Sequence, residues 1–335
     1  MAATDVGPRV RPSRISALPS GVARPRWSVM IPTYNCAEYL RVTLASVLEQ
    51  DPGPDVMQIE VVDDCSTRDD PEAVVAELGS GRVAFFRHAR NVGHIVNFDT
   101  CLQRSRGRLV HLLHGDDYVR PGFYRALEHG FVQRPEIGAA FCRQILMDER
   151  GNWRVVSPLE RPERGVLTGW VDRLAVGQRL QPPSIAVRRE VYERLGGFDP
   201  RIRRWSEDWE MWLRIAAHYP VWYEPEPLAV YRMHGESITS HAVLDPDSIR
   251  ECCRIVSIAQ SYLPADRYPQ LARQAREECV LGAYRRLRRR LAGGQIDPLS
   301  RQHLAAAVWC SRSPRAVLRM LLLYALWWRA RSRPA

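Results

Sequence analysis

Lysine is absent from this 335-residue chain, so its 48 strongly basic side chains are all arginine. That excludes a standard P-loop NTPase, whose phosphate grip needs a lysine, and nucleotidyltransferases whose Gly-rich loop relies on one. No Gly-x-Gly-x-x-Gly follows the first strand-like run, which argues against a dinucleotide enzyme. The eight cysteines (36, 65, 101, 142, 252, 253, 279 and 310) include no Cys-x-x-Cys pair and no zinc-finger spacing with histidine. They read as mostly reduced and buried, in a cytoplasmic chain. Met1 to Arg24 lacks the apolar stretch of a signal peptide, so secretion is not expected. Long apolar runs are missing too: Met320 to Trp328 is bounded by Arg319 and Arg329, far short of the roughly 20 residues that cross a bilayer.

What is present fits a globular protein. Apolar residues make up 45% and charged residues 26%, enough for one large domain or a domain with an appendage. The net charge of +10 suits nucleic acid, an anionic membrane or a phosphorylated ligand, and equally a solvated arginine-rich surface. From Trp27 onward, short β-rich runs (Trp27–Ile31, Ile59–Val62, Val83–Phe86, Leu109–Leu113) alternate with helical periods such as Tyr39–Leu48 and Ile95–Leu102. That alternation predicts an α/β fold with a mostly parallel sheet flanked by helices, binding its ligand beyond the carboxyl ends of the strands. After about Ser240 only Arg-, Ala- and Leu-rich helical patterns remain. The expected organisation is a flexible tail over 1–25, an α/β domain over 26–244 and a helical region over 245–335.

Five polar clusters lie at the ends of these runs. Val29-Met-Ile-Pro-Thr-Tyr-Asn35 leads from a strand, which Pro32 should end, into a turn that sets Tyr34 and Asn35 at the binding edge, where a ring can stack on a base. Glu60-Val-Val-Asp-Asp-Cys-Ser-Thr67 ends in two carboxylates. Asp64 is the candidate to accept the N3 hydrogen of a uracil-like base, and Asp63 could cap the helix starting near Asp70. Leu109-Val-His-Leu-Leu-His-Gly-Asp-Asp-Tyr118 places Asp116 and Asp117 together after an apolar strand, a good site for a hard divalent cation bridging a diphosphate, though an ordinary turn is the alternative. In Trp205-Ser-Glu-Asp-Trp-Glu-Met-Trp-Leu-Arg214, a helix starting near Ser206 carries Glu207 and Asp208 in its first turn. They either complement the helix dipole or supply Asp208 as a general base. Val230-Tyr-Arg-Met-His-Gly-Glu-Ser237 offers His234 to a metal or a phosphate, with Arg232 adding charge.

Taken in order, these motifs resemble the family 2 glycosyltransferases, whose nucleotide-sugar domain has the GT-A fold. The likeness runs from about Trp27 to Ser240 and includes the Asn91-x-Gly93 turn and Gln181-Pro-Pro-Ser184. The resemblance implies a GT-A domain with a C-terminal helical extension, and an inverting transfer of sugar from a nucleoside-diphosphate sugar to an acceptor hydroxyl, in cell-surface polysaccharide or glycolipid synthesis. A non-catalytic sugar-nucleotide or glycan-binding relative is the alternative. By this likeness Asp208 is the catalytic base. Pro32, Tyr34, Asn35, Asp64, Asn91, Gly93, Asp116, Glu207 and Arg232 contact the donor, and Asp117, Asp116 and His234 hold Mn²⁺ or Mg²⁺. The implied partners are that donor and a glycan or lipid-linked acceptor, with no nucleic acid. The chain departs from the family where an Arg-Asn pair is usual, since Val96 precedes Asn97, and where His114 and Gly115 replace Asp and Ala before the acidic pair.

The tail admits two readings. Arg285, Arg286, Arg288, Arg289 and Arg290 form a basic cluster, and Arg312, Arg315 and Arg319 share a helical side with Leu318, Leu322, Tyr324, Ala325, Trp327 and Trp328 elsewhere on it. Such a helix either packs on the protein with arginine facing water or lies in the inner membrane interface, giving a cytoplasmic protein with peripheral contact.

Overall fold

β-Branched and aliphatic residues dominate the first two strands, β1 (Trp27–Thr33) and β2 (Met57–Asp63), and every position of both is buried, as a strand covered on both faces requires. The computed structural model describes residues 12–202, 204–235, 245, 247–292, 301–311 and 313–331. Glu236, Ser237 and Arg312, named above, lie outside them, as does the side chain of Arg290. Right after β1 comes α1 (Ala37–Leu48), whose apolar Leu40, Leu44 and Val47 repeat at helical spacing and are fully buried. α2 (Pro71–Gly79), β3 (Ala84–Arg87), α3 (His94–Arg104) and β4 (Leu109–Leu112) complete a parallel half in the order β3-β2-β1-β4. The order reverses between β1 and β4, which is where open α/β sheets bind ligands.

Beyond β4 the chain adds β5 (Tyr118–Val119), α4 (Phe123–Gln133), β6 (Ala139–Asp148), β7 (Trp153–Val156), β8 (Gly165–Val166), β9 (Ile185–Arg188), α6 (Arg189–Leu195) and β10 (Val221–Met233). These strands extend the sheet as β4-β9-β6-β10-β5, with β9 antiparallel to β4 and β6, β5 antiparallel to β10, and β7 and β8 paired on β6 and β10. The result is a mixed α/β sheet of ten strands among the described residues. Its core gathers Val29, Ile31, Leu44, Val61, Phe123 and Leu127, all at most 0% exposed.

Two expectations are corrected here. Pro32 does not end its strand: it pairs with Val62, and Thr33 with Asp63. The ring is tolerated because its missing N–H falls on the β4 side, where regular pairing stops at Met30–Leu112, while its carbonyl still accepts the Gly115 N–H at 3.0 Å. Nor is all of 1–25 a loose tail. Ile15 is 1% exposed, the Ser13 carbonyl accepts the Gly197 N–H at 2.7 Å, and Arg189 donates to the Ser16 carbonyl at 3.1 Å. One apolar side chain and these two polar ties hold this stretch, too sparse a pattern to show as an element in the sequence.

A second compact unit comprises 169–179, 204–217 and 233–335. It contains α5 (Trp170–Val176), all but the last residue of α7 (Glu207–His218), α8 (Asp247–Ile258), α9 (Tyr268–Ala292), α10 (Arg301–Cys310) and α11 (Pro314–Arg331). Ile249, Val280, Leu287, Ala306, Met320 and Trp327 form its own apolar cluster. Cys253 and Cys310 are joined as a disulfide across α8 and α10, with Cα atoms 5.9 Å apart, whereas the other six cysteines are free thiols. Six free thiols of eight fit the expectation of mostly reduced cysteines, and the exception is the one pair that helix packing sets at bridging distance. No described helix is long and apolar enough to cross a membrane.

Candidate functional site

The ends of β1 and β2 are tied together before any ligand is considered. Asn35 adopts a left-handed φ of +50°, which asparagine tolerates, and its side-chain oxygen accepts the N–H groups of Thr67 and Arg68 at 2.8 and 3.0 Å. Its own N–H donates to Ser66 Oγ, which in turn donates to Asp63. Asp63 also receives Arg87 Nε at 2.7 Å, so it locks the turn and does not cap α2. The cap is Asp70, which accepts from Glu72 and Ala73 because it immediately precedes Pro71. Tyr34 is 46% exposed at the sheet edge and can present its ring to a ligand.

Asp64 faces the turn after β3. One oxygen accepts the Val92 N–H at 2.7 Å and the other the Gly93 N–H at 2.9 Å, while Asn91 donates to the Asp64 carbonyl at 3.3 Å. Gly93, at φ +87°, makes that approach without strain and opens α3. Each carboxylate oxygen keeps a second lone pair, so Asp64 can still accept one more hydrogen. Four residues after Gly93, in α3, the buried Asn97 donates to the Val62 carbonyl at 3.0 Å, and Val96 beside it is 50% exposed.

At the end of β4 the acidic pair is held from two directions. Thr43 on α1 donates to the carbonyls of Gly115 and Asp117, at 3.0 and 2.6 Å. A Cβ on Gly115 would approach Thr33 Oγ1 to 3.0 Å and Cys36 Sγ to 3.1 Å, so this loop is packed for a glycine. Arg232 on β10 donates its backbone N–H to Asp117 Oδ1 at 2.9 Å and Nε to the Asp116 carbonyl at 2.9 Å, with its guanidinium 4.6 Å from the Tyr39 ring. Asp117 is 1% exposed, and burial, then the neighbouring Asp116, push its carboxyl well above the usual range. Its second oxygen, Oδ2, is buried with no hydrogen-bond partner.

His114, Asp116 and Asp117 bring one ligand atom each to within 4.8 Å of one another. A divalent cation fits this donor set: it would satisfy the orphaned oxygen of Asp117 and offset the charge that burial opposes. His114 is not among the ligands expected from the motifs, where it stands only as a departure from the family's aspartate. Its spacing two residues before the acidic pair was the available signal, and its ring stacks on Phe98 at 4.7 Å. His234, the ligand expected instead, falls in the second compact unit.

In that second unit, α7 begins at Glu207 directly after Ser206, whose φ is +63°. Trp209, Trp212 and Leu213 are buried on it, and Glu210 pairs with Arg214 at 2.9 Å, as the spacing predicts. Asp208 is 8% exposed. It accepts the Trp209 N–H at 2.8 Å and Gln178 Nε2 at 2.6 Å. Burial first, then the adjacent Glu207, push its carboxyl up to about 8, against the pull of those hydrogen bonds. A carboxylate poised near neutrality is suited to proton transfer. Gln178 was not legible in the sequence, since nothing in Met147–Gly177 or just after it marks a partner 30 residues upstream.

The Glycosyl transferase family 2 profile matches residues 28–196. The chain belongs to that family. Asp208 and Arg232 lie beyond the matched span. A Mycobacterium tuberculosis protein of undescribed activity is 27% identical over 70% of this chain and 76% of its own length, and three further mycobacterial relatives, 26% identical, are covered over 62% of theirs. The putative teichuronic acid biosynthesis glycosyltransferase TuaG of Bacillus subtilis is 27% identical over 65% of this family 2 chain and 83% of its own. Among solved structures, S. aureus TarS in complex with UDP-GlcNAc shares the fold at TM-score 0.64 and 17% identity, over 90% of this chain and 87% of that one. The mannosyltransferase PcManGT of Pyrobaculum calidifontis, with GDP-Man and Mn²⁺, does so at TM-score 0.57 and 18% identity, over 94% and 89%. The GT-A architecture of the family 2 chain is thereby established.

Proposed function

We propose that this protein is an inverting, metal-dependent glycosyltransferase that moves a sugar from a nucleoside-diphosphate sugar, UDP-sugar favoured, to an acceptor hydroxyl in polysaccharide or glycolipid synthesis. The observation that carries it is the buried, unbonded Oδ2 of Asp117 in a cluster with Asp116 and His114 at the switch point of the sheet. Support comes from solved relatives of the same fold that hold UDP-GlcNAc or GDP-Man with Mn²⁺, and from TuaG, named for teichuronic acid biosynthesis.

The residues divide the work. Tyr34 offers a ring to the base, and Asp64 a lone pair to the uracil N3–H, a hydrogen that cytosine lacks. Asp117, Asp116 and His114 would hold a divalent cation, which supplies charge neutralisation to the departing diphosphate. Arg232 fixes both the carboxylate of Asp117 and the carbonyl of Asp116. Asp208 takes the proton of the acceptor hydroxyl as that oxygen bonds to the anomeric carbon and the nucleoside diphosphate leaves from the opposite face. Gln178 orients the base. Incubating the protein with a panel of UDP- and GDP-sugars and Mn²⁺ or Mg²⁺ tests this by following nucleoside diphosphate release. Turnover insensitive to EDTA, or unaltered in Asp117→Ala and Asp208→Asn, would overturn it.

A further inference from the structure

The last two helices expose apolar side chains that a water-facing helix does not need. On α11, Ala316, Met320, Leu323 and Trp327 are buried and pack into the helical unit. On its opposite face Leu318, Leu321, Leu322, Leu326 and Trp328 are 48–57% exposed, recurring at helical spacing over three turns. Val308 and Trp309 on α10 are 55% and 62% exposed. The helix is therefore apolar around most of its circumference with only one side packed, a pattern that calls for a second apolar neighbour.

We propose that this face is a docking surface for an anionic lipid bilayer, in which α10 and α11 lie at the headgroup boundary. Charge selects the occupant. From Arg301 to Ala335 the sequence has seven arginines and no acidic residue. A second copy of the same surface would set arginine against arginine, whereas anionic headgroups neutralise it. Arg315 and Arg329, both exposed, border the leucine face and can reach headgroups while their stems stay apolar. Two exposed tryptophans, Trp309 on α10 and Trp328 near the end of α11, suit the interfacial region. The face is too short in apolar length to span the bilayer, so the contact is peripheral.

The test is sedimentation of the full chain with vesicles of phosphatidylcholine alone and with about one-third phosphatidylglycerol added. Binding is expected to the anionic vesicles and to fall at least tenfold in Leu322→Glu/Leu326→Glu, whose positions are exposed and whose fold is checked by an unchanged thermal midpoint. Arg315→Gln/Arg329→Gln is expected to lose the preference for anionic lipid. Three outcomes would overturn the proposal: no sedimentation with either vesicle, sedimentation unaffected by the leucine pair, or a concentration-dependent dimer in solution that the leucine pair abolishes. Because binding is read without any donor, this result is independent of the transferase reading.

Discussion

The acids that end β4 and the acid that opens α7 are both nearly buried, yet they are held by opposite means. Asp117 is gripped by a backbone N–H from a neighbouring strand and keeps one oxygen without a hydrogen bond beside a second acid. Asp208 has both oxygens engaged, by its own helix and by the flexible amide of Gln178. A rigid carboxylate with a spare lone pair is suited to a cation, and one raised by burial and a like charge yet held by hydrogen bonds is suited to gaining and losing a proton. The same residue type thus takes two roles through its partners.

The largest effect that separates these roles is expected at Asp117. Asp117→Ala should lower transfer by roughly 10³-fold or more, the scale of losing a centre that stabilises developing charge. Titration calorimetry with Mn²⁺ should show the metal affinity lost in the same variant. Metal binding retained in Asp117→Ala would remove the cation from this end of the comparison.

Asp208→Asn comes next, at roughly 10²- to 10⁴-fold in kcat, with metal affinity unchanged. Its pH behaviour carries the distinction. With the wild-type carboxyl pushed up to about 8, activity should climb as pH rises through that value, and the slope should vanish in the Asn variant. Stability runs the other way. A folded-state value raised above the ordinary 3.8 contributes stability that is complete below that value and is lost as pH rises through about 8. The thermal midpoint of Asp208→Asn should therefore gain on the wild type across that window. A constant gap would mean that Asp208 is ionised throughout.

The parallel half was legible in the sequence because its physics is local. Apolar runs marked β1, β2, β3 and β4 to within two residues at each end, and the motif acids follow directly from the strands that carry them. What stayed hidden depends on pairs distant in sequence. The clasp of Thr43 on Asp117, the main-chain bond from Arg232 and the reach of Gln178 to Asp208 span 74, 115 and 30 residues, and no periodicity records them. Pro32 misled for a related reason: whether a missing N–H matters depends on which neighbour that edge faces, and the sequence does not show the neighbour. The proximity of His114 to the two acids is likewise a property of the folded turn: its ligand atom comes within 4.8 Å of theirs, which the order of residues alone does not record.

A smaller effect is expected at Asn35, on the base-binding side. Asn35→Ala removes the acceptor for two backbone N–H groups and leaves alanine at a positive φ, together worth about 1–2 kcal/mol by denaturant midpoint. Donor KM should rise while kcat holds if, as proposed, the loop meets the base and not the reacting atoms. A fall in kcat alone would place Asn35 with the chemistry instead.

The smallest and most selective change is at Gln178. Its amide donates to Asp208 at 2.6 Å and is among the hydrogen bonds that hold the carboxyl down against burial and Glu207. Gln178→Ala removes that donor, so the rise of activity with pH should move to higher pH, while the plateau rate at alkaline pH falls only a few-fold because the base itself is intact. A merely structural glutamine would lower the rate at every pH and leave the midpoint where it was. The shift of the profile, read against the flat profile of Asp208→Asn, therefore tests whether the helix-borne acid is tuned by its side-chain partner in the way the strand-end acid is not.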